Sequence, residues 1–127
     1  MSAMEPIQSI DDVVERIRAN WRGYVSAYSI LLILVLLAAA ADAGSTVFFM
    51  LIRGPQEEAH PVIRWLGMAL GPTLGPVVGK LIQILGLVAV TVYLRRWAVY
   101  LFVSATILYA WAAWYNILAI PILLHSP

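Results

Sequence analysis

The sequence predicts an all-α integral membrane protein with three transmembrane helices, a short re-entrant or interfacial helix and an N-terminal amphipathic helix. Of its 127 residues, 62% are hydrophobic and 12% are charged, against about 25% charged residues in ordinary soluble domains. An eighteen-residue run without charge, Tyr24 to Ala41, approaches the ~20 residues that a helix needs to cross a bilayer core of ~30 Å. The mean hydropathy is +0.86. We therefore expect residues 24–127 to form a single transmembrane domain, preceded by residues 1–23.

The N-terminal segment, residues 1–23, is predicted to contain an amphipathic helix that lies on the membrane surface. Ser9 and Asp12 stand at the spacing of a capping box. Apolar residues then recur at helical spacing, at Ile10, Val13, Val14, Ile17 and Trp21. The other face carries charged residues, namely Asp11, Asp12, Glu15, Arg16 and Arg18. Such a helix is typical of a membrane interface, and a docking surface for a partner subunit is the alternative.

Three spans are predicted, at residues 24–52, 76–94 and 97–120. The first contains Asp42 within its apolar run, where a carboxylate costs about 3 kcal/mol unless it is paired or hydrated. The second carries Lys80 near its start and ends before Arg95. Pro121 is expected to close the third span, because proline opposes continuation of a helix.

Residues 62–71 form an apolar segment that is too short to cross a bilayer. Glycines recur at steps of four in and after it, at Gly67, Gly71, Gly75 and Gly79, and this spacing lets membrane helices approach closely. Pro72 and Pro76 oppose one straight helix through the region. We expect a short re-entrant or interfacial helix, a kink and then the second span; a single strongly kinked helix over 62–94 is the alternative.

Small residues recur every seven positions on the last two spans. They are Ala98, Ala105, Ala112 and Ala119 on the third span, and Gly79 and Gly86 on the second. Small residues at this spacing mark close helix packing. Because so short a chain offers little else, we expect an accessory or assembly subunit of a larger membrane complex, whose partners are membrane lipids and other membrane protein subunits.

The distribution of arginine predicts the orientation of the chain. One side of the spans has five arginines, Arg16, Arg18, Arg22, Arg95 and Arg96, and the other side has two, Arg53 and Arg64. Positively charged residues are in excess on the cytoplasmic side. We therefore expect a multi-pass protein of the inner (plasma) membrane with its N terminus in the cytoplasm and its C terminus outside.

The polar residues of the spans are predicted to meet in the outer half of the bundle. Counted from the level of Arg22 and Arg95, the positions of Asp42, Lys80 and Asn116 are about 30, 22 and 30 Å along their helices. We expect Asp42 to contact Lys80, within a cluster of Asp42, Ser45, Thr46, Glu58, His60, Lys80, Gln83 and Asn116. Ionisable groups at membrane depth are often functional. The alternative function is therefore a homo-oligomeric transporter of an ion, a proton or a small solute.

Several short motifs occur in a fixed order. They are Asp42-x-x-Ser45-Thr46, Glu58-x-His60-Pro61, Gly71-Pro72 and Lys80. This order resembles a family of small bacterial and archaeal membrane proteins of unknown function, in which Asp-x-x-Thr-Thr, Glu-x-Asn-Pro and a membrane lysine follow one another. The resemblance covers about residues 29–118 and implies that Asp42, Glu58, His60 and Lys80 belong to one site. It implies no established activity, and His60 stands where that family has asparagine.

The sequence gives no reason to expect an enzyme, a cofactor or nucleic-acid binding. A net charge of +1 offers no basic surface for nucleic acid, and the absence of cysteine removes thiolate chemistry. A third hypothesis places a divalent metal at Asp42, Glu57 or Glu58 and His60. One loop histidine without a helical His-x-x-x-His pair argues against it. We expect no catalytic residue, no metal and no cofactor.

Overall fold

The computed structural model of the protein describes the backbone of residues 9–125 and the side chains of residues 9–118. This part of the chain is helical and contains no strand. Its α-helices are α1 (Ile10–Trp21), α2 (Tyr24–Ala27), α3 (Ser29–Arg53), α4 (Pro61–Leu70), α5 (Leu74–Tyr93) and α6 (Ala98–His125), with short 3₁₀ helices at Pro55–Glu57 and Arg95–Trp97. Among the described helices, α3, α5 and α6 are long and apolar enough to cross a membrane. This agrees with the three predicted spans.

Helix α1 lies against the carboxyl end of α5. The hydroxyl of Ser9 accepts a hydrogen bond from the backbone amide three residues on, and caps α1 as predicted. The guanidinium of Arg95 donates to the carbonyl oxygens of Asn20 and Arg22, at 2.9 and 2.6 Å. The side-chain amide of Asn20 donates to the carbonyl oxygen of Tyr93 at 3.1 Å. These bonds satisfy carbonyl groups that helix ends leave without partners, and they fix α1 to one end of the bundle.

The first apolar run, predicted as a continuous helix over 24–52, is divided into α2 and α3 at Tyr28. This residue has φ −113° and ψ 19°, outside the helical region. Its hydroxyl donates to the carbonyl oxygen of Arg95 at 3.3 Å, and its ring centroid lies 6.0 Å from that of Phe102. Contacts with distant parts of the chain therefore hold the interruption, and the helix of membrane length begins at Ser29.

Helices α4 and α5 form an antiparallel hairpin. Gly71, between them, has φ +97°, a conformation that L side chains rarely adopt. The two helices approach so closely that a Cβ atom on Gly75 would lie 2.5 Å from the backbone of Gly67. Pro76 stands in the first turn of α5, where a missing N–H breaks no helical hydrogen bond. The region therefore forms two helices, as preferred above, and not one kinked helix over 62–94.

Helix α6 packs along α3 in the most extensive helix pair of the described bundle. It continues through Pro121 to His125, although Pro121 is expected from the sequence to close the span. Proline removes one backbone donor, and long apolar helices tolerate this. The other bounds differ from the predictions by one or two residues: α4 covers 61–70 instead of 62–71, and α5 covers 74–93 instead of 76–94.

The small residues that were expected to bind other subunits pack mainly within the chain. Ala98 is fully buried, and Ala105 packs against the same core. A Cβ atom on Gly79 would meet α4. By contrast, Gly86 faces open space, and the side chain of Ala119 lies outside the described residues. Within this set, Gly86 is therefore open to a partner, whereas Gly79, Ala98 and Ala105 pack inside the chain.

Candidate functional site

A cavity of about 340 Å³ lies between α3, α5, α6 and the loop before α4. Its polar lining residues are Asp42, Thr46, Glu58, His60, Lys80, Gln83, Tyr109 and Asn116. Seven of the eight residues of the predicted cluster are therefore in its wall. The eighth, Ser45, is hydrogen-bonded to the lining residue Asn116. The cavity lies in the half of the bundle where α3 ends and α5 begins.

An ion pair between Asp42 and Lys80 forms part of the cavity wall. The Nζ atom of Lys80 donates to Oδ2 of Asp42 at 2.5 Å and to Oε1 of Gln83 at 3.1 Å. The two charged side chains are only 11% and 14% exposed. Because removing either charge from water is costly, each compensates the other inside an apolar bundle. The depth of the two residues along their helices predicts this contact.

Asn116 ties α6 to the α3 wall of the cavity. Its Nδ2 atom donates to the hydroxyls of Ser45 and Thr46, at 3.0 and 3.3 Å. The Ser45 hydroxyl in turn donates to the carbonyl oxygen of Asp42 at 3.0 Å. Ser45 and Thr46 are both buried, and buried polar groups need such partners. The network fixes the position of the α3 turn that carries Asp42.

The loop residues Glu58 and His60 form the exposed rim of the cavity. Oε1 of Glu58 accepts a hydrogen bond from the backbone amide of His60 at 3.2 Å. Nδ1 of His60 accepts from the amide of Ile63 at 3.3 Å and so caps α4. His60 is exposed and Glu58 is partly buried, so the cavity reaches the surface at this loop. Glu57, expected beside them, is exposed and does not line it.

Tyr109 lines the cavity but is not among the residues predicted from the sequence. Its hydroxyl donates to Oε1 of Gln83 at 3.1 Å, and its ring centroid lies 4.2 Å from Nζ of Lys80. The face of an aromatic ring attracts a cation at this distance. A signal is present in the sequence, because Tyr109 precedes Asn116 by seven residues and so shares its helix face.

An apolar core fills the other half of the bundle. Its buried members are Tyr24, Val35, Val92, Ala98 and Phe102, against which Leu87 and Val88 also pack. Tyr109 packs against this core as well as lining the cavity, so it stands at the boundary between the two. Within the described residues, the cavity is therefore blocked by apolar side chains on the side that faces α1.

Among the described residues, no three His, Asp or Glu side chains lie close enough together to hold a metal ion. In comparisons with protein-family models, curated proteins and solved structures, the chain matches none of them. The resemblance carried by the motifs at Asp42, Glu58 and Lys80 therefore stays a prediction.

Proposed function

We propose that the protein is inserted in the inner (plasma) membrane through α3, α5 and α6, with its N terminus in the cytoplasm. Large apolar side chains on all three helices point away from the bundle, for example Leu37, Leu85 and Ile107, which are 64%, 69% and 62% exposed. Lipid covers such surfaces in membrane proteins. The end of the bundle that carries α1 also carries most of the arginines, which supports the cytoplasmic assignment.

Helix α1 supports the same arrangement as an interfacial helix. Its apolar stripe stays exposed, with Ile10 81%, Val14 46%, Ile17 38% and Trp21 51% accessible. The hydrogen bonds of Arg95 hold α1 at the end of α5, where the proposed bilayer ends. An amphipathic helix at this level buries its apolar face between lipid headgroups and acyl chains.

The cavity makes a solute-binding and transport function the best-supported proposal. The observation that carries it is the Asp42–Lys80 ion pair, which lines a polar cavity inside helices of membrane length. An ion pair that only stabilises the fold does not require a cavity beside it. A small polar or charged solute can occupy that space and replace one member of the pair as the partner of the other. We therefore assign the protein as a small transporter whose binding site is this cavity.

The apolar core restricts how a solute can cross the protein. A solute enters at the Glu58 and His60 rim and reaches Lys80, but Phe102 and the other core residues fill the bundle beyond it. An open channel through one copy of the chain does not fit this arrangement. Transport then requires a second conformation or a path shared between copies, in keeping with the homo-oligomer of the sequence hypothesis.

The accessory or assembly subunit is the second candidate. It is favoured by an exposed small-xxx-small pair on α3, Ala40 and Gly44, where a Cβ atom added at Gly44 would meet nothing within 4 Å. Such pairs allow another membrane helix to approach closely. A stoichiometric membrane-protein companion after purification in mild detergent would favour this candidate over the transporter.

The transporter proposal is tested by uptake into proteoliposomes of radiolabelled ethanolamine, glycine, acetate and glycerol. We expect uptake of at least one of these by the wild-type protein, and a loss of at least tenfold with Asp42→Asn and with Lys80→Met. Each substitution leaves its partner charge unpaired in the cavity wall and removes an exchange partner for the solute.

Glu57→Gln is the matched control, because Glu57 is adjacent to Glu58 in the chain but does not line the cavity. We expect Glu57→Gln to transport like the wild type and Glu58→Gln to be impaired. Uptake no greater than that of empty liposomes for every solute would overturn the proposal. So would full activity in Asp42→Asn.

A further inference from the structure

A second, apolar groove adjoins the polar cavity. It has a volume of about 430 Å³ and lies between α3 and α5. Its α3 wall extends from Leu36 to Val47, about 16 Å along the helix. Lys80 and Ala43 line both the groove and the polar cavity. The two spaces therefore meet at these residues, and the groove opens on a face that the proposed membrane covers with lipid.

The polar cavity has more negative than positive groups. Asp42 and Glu58 supply two carboxylates, and Lys80 supplies one ammonium group. Nδ1 of His60 is occupied by the backbone amide of Ile63, from which it accepts a hydrogen bond. Arg64 reaches the carbonyl oxygen of Glu58 at 3.5 Å but does not line the cavity. One negative charge is therefore left without a partner in the cavity wall.

The cavity wall has free acceptor atoms as well as free donors such as Nε2 of Gln83. None of the described residues donates to Oδ1 of Asp42, to Oε2 of Glu58 or to Oδ1 of Asn116. Lys80, in contrast, is already engaged by Asp42, Gln83 and the Tyr109 ring. A ligand that donates several hydrogen bonds and carries a positive charge fits these atoms, and a carboxylate or phosphate would face the unpaired negative charge.

We propose that the ligand is an amphiphile with a primary ammonium group, which binds Asp42 and Asn116 in the cavity while its alkyl chain lies in the α3–α5 groove. This inference rests on the solute-binding function proposed above and names the class of solute. The ligand enters laterally from the bilayer, and its ammonium group passes Lys80 and Ala43 to reach the cavity. The ammonium group takes part of the role of Lys80 by donating to the free oxygen of the carboxylate.

The dimensions of the groove favour an alkyl chain over a protein helix as its occupant. A helix with its side chains is about 10–12 Å across, while α3 and α5, which form the groove walls, already contact each other. A helix from a second copy could cover the groove but could not enter it. An unbranched chain fills it and contacts the side chains of Leu81 and Ile84 on one wall.

The test measures saturable binding of tritiated dodecylamine, dodecanoic acid and ethylamine to the protein in phosphatidylcholine nanodiscs. We expect dodecylamine to bind at least tenfold more tightly than either of the other probes. Asp42→Asn should weaken dodecylamine binding at least tenfold. Gly44→Leu and Ala40→Leu, which place side chains in the groove, should weaken dodecylamine binding by a similar factor and leave ethylamine binding unchanged.

Gly86→Leu is the matched control, since Gly86 is an exposed helical glycine with open space around it but does not line the groove. Equal binding of dodecanoic acid would overturn the ammonium assignment. Equal binding of ethylamine and dodecylamine would overturn the role of the groove and leave the cavity proposal intact. If neither amine binds while one of the small solutes is transported, the inference fails and the transporter proposal stands.

An added phospholipid separates two sources of the same chemistry. Phosphatidylethanolamine carries a primary ammonium group next to a phosphate, whereas a simple long-chain amine does not. Competition by nanodiscs that contain phosphatidylethanolamine against dodecylamine would identify an aminophospholipid as the ligand. Undiminished binding in those nanodiscs would restrict the ligand to single-chain amines.

Discussion

Lys80 connects the features on which the proposed function depends. Its ammonium group pairs with Asp42 and donates to Gln83, and its side chain stands between the polar cavity and the apolar groove. A lysine is suited to this place because its flexible stem is apolar and its charged end is compact. This one side chain therefore lines both the cavity and the groove.

The ion pair should contribute measurably to the free energy of unfolding of the protein. We expect Lys80→Met alone to lower the free energy of unfolding by about 3–5 kcal/mol, because it leaves Asp42 as an unpaired and largely buried carboxylate. The double variant Asp42→Asn/Lys80→Met should recover about 1–3 kcal/mol relative to the sum of the single variants. Thermal unfolding in detergent, followed by circular dichroism, measures both quantities. Strict additivity of the two substitutions would show that the pair contributes no coupling.

At the scale of the element, the α4–α5 hairpin positions the rim of the cavity. Because α4 turns back along α5 at Gly71, its first residues are held near Lys80, and His60 caps the helix at this point. The rim therefore depends on the close crossing of Gly67 with Gly75. A change at this crossing should displace the loop that carries Glu58.

We expect Gly75→Ala to destabilise the protein by about 1–3 kcal/mol, since the added Cβ would lie 2.5 Å from the backbone of Gly67. Gly86→Ala is the control: its added methyl group has open space, and alanine favours helix over glycine by about 1 kcal/mol. Unfolding midpoints of the two variants should shift in opposite directions. A Gly75→Ala protein as stable as the wild type would mean that the helices can separate at no cost.

The sequence contains much of the site because helix geometry is regular. A constant rise of ~1.5 Å per residue places Asp42 and Lys80 at similar depths without knowledge of the fold. Local signals also identify the turn at Gly71. They do not identify the interruption at Tyr28, which depends on contacts with Arg95 and Phe102. Pro121 locally suggests the end of a helix, but α6 continues through it, because the surrounding structure overrides local propensity.

On the scale of the whole molecule, the described bundle has a polar half and an apolar half. The cavity and its charged pair lie near the loop end, and the core around Phe102 lies near α1 and the arginines. A solute site that is open at one end and blocked at the other is the arrangement that alternating access requires in one of its states. Under the proposed transport function, the side of the membrane to which the cavity opens follows from the topology of the chain.

That topology can be measured directly, because the chain has no cysteine and single cysteines report their own accessibility. We expect Gln56→Cys, in the exposed loop before α4, to react with a membrane-impermeant maleimide in intact spheroplasts. Ser9→Cys, at the start of α1, should react only after the membrane is permeabilised, because the excess of arginine at that end favours the cytoplasmic side. The reverse pattern would place the cavity mouth on the cytoplasmic side, and reaction of both residues in intact spheroplasts would contradict an odd number of spans between them.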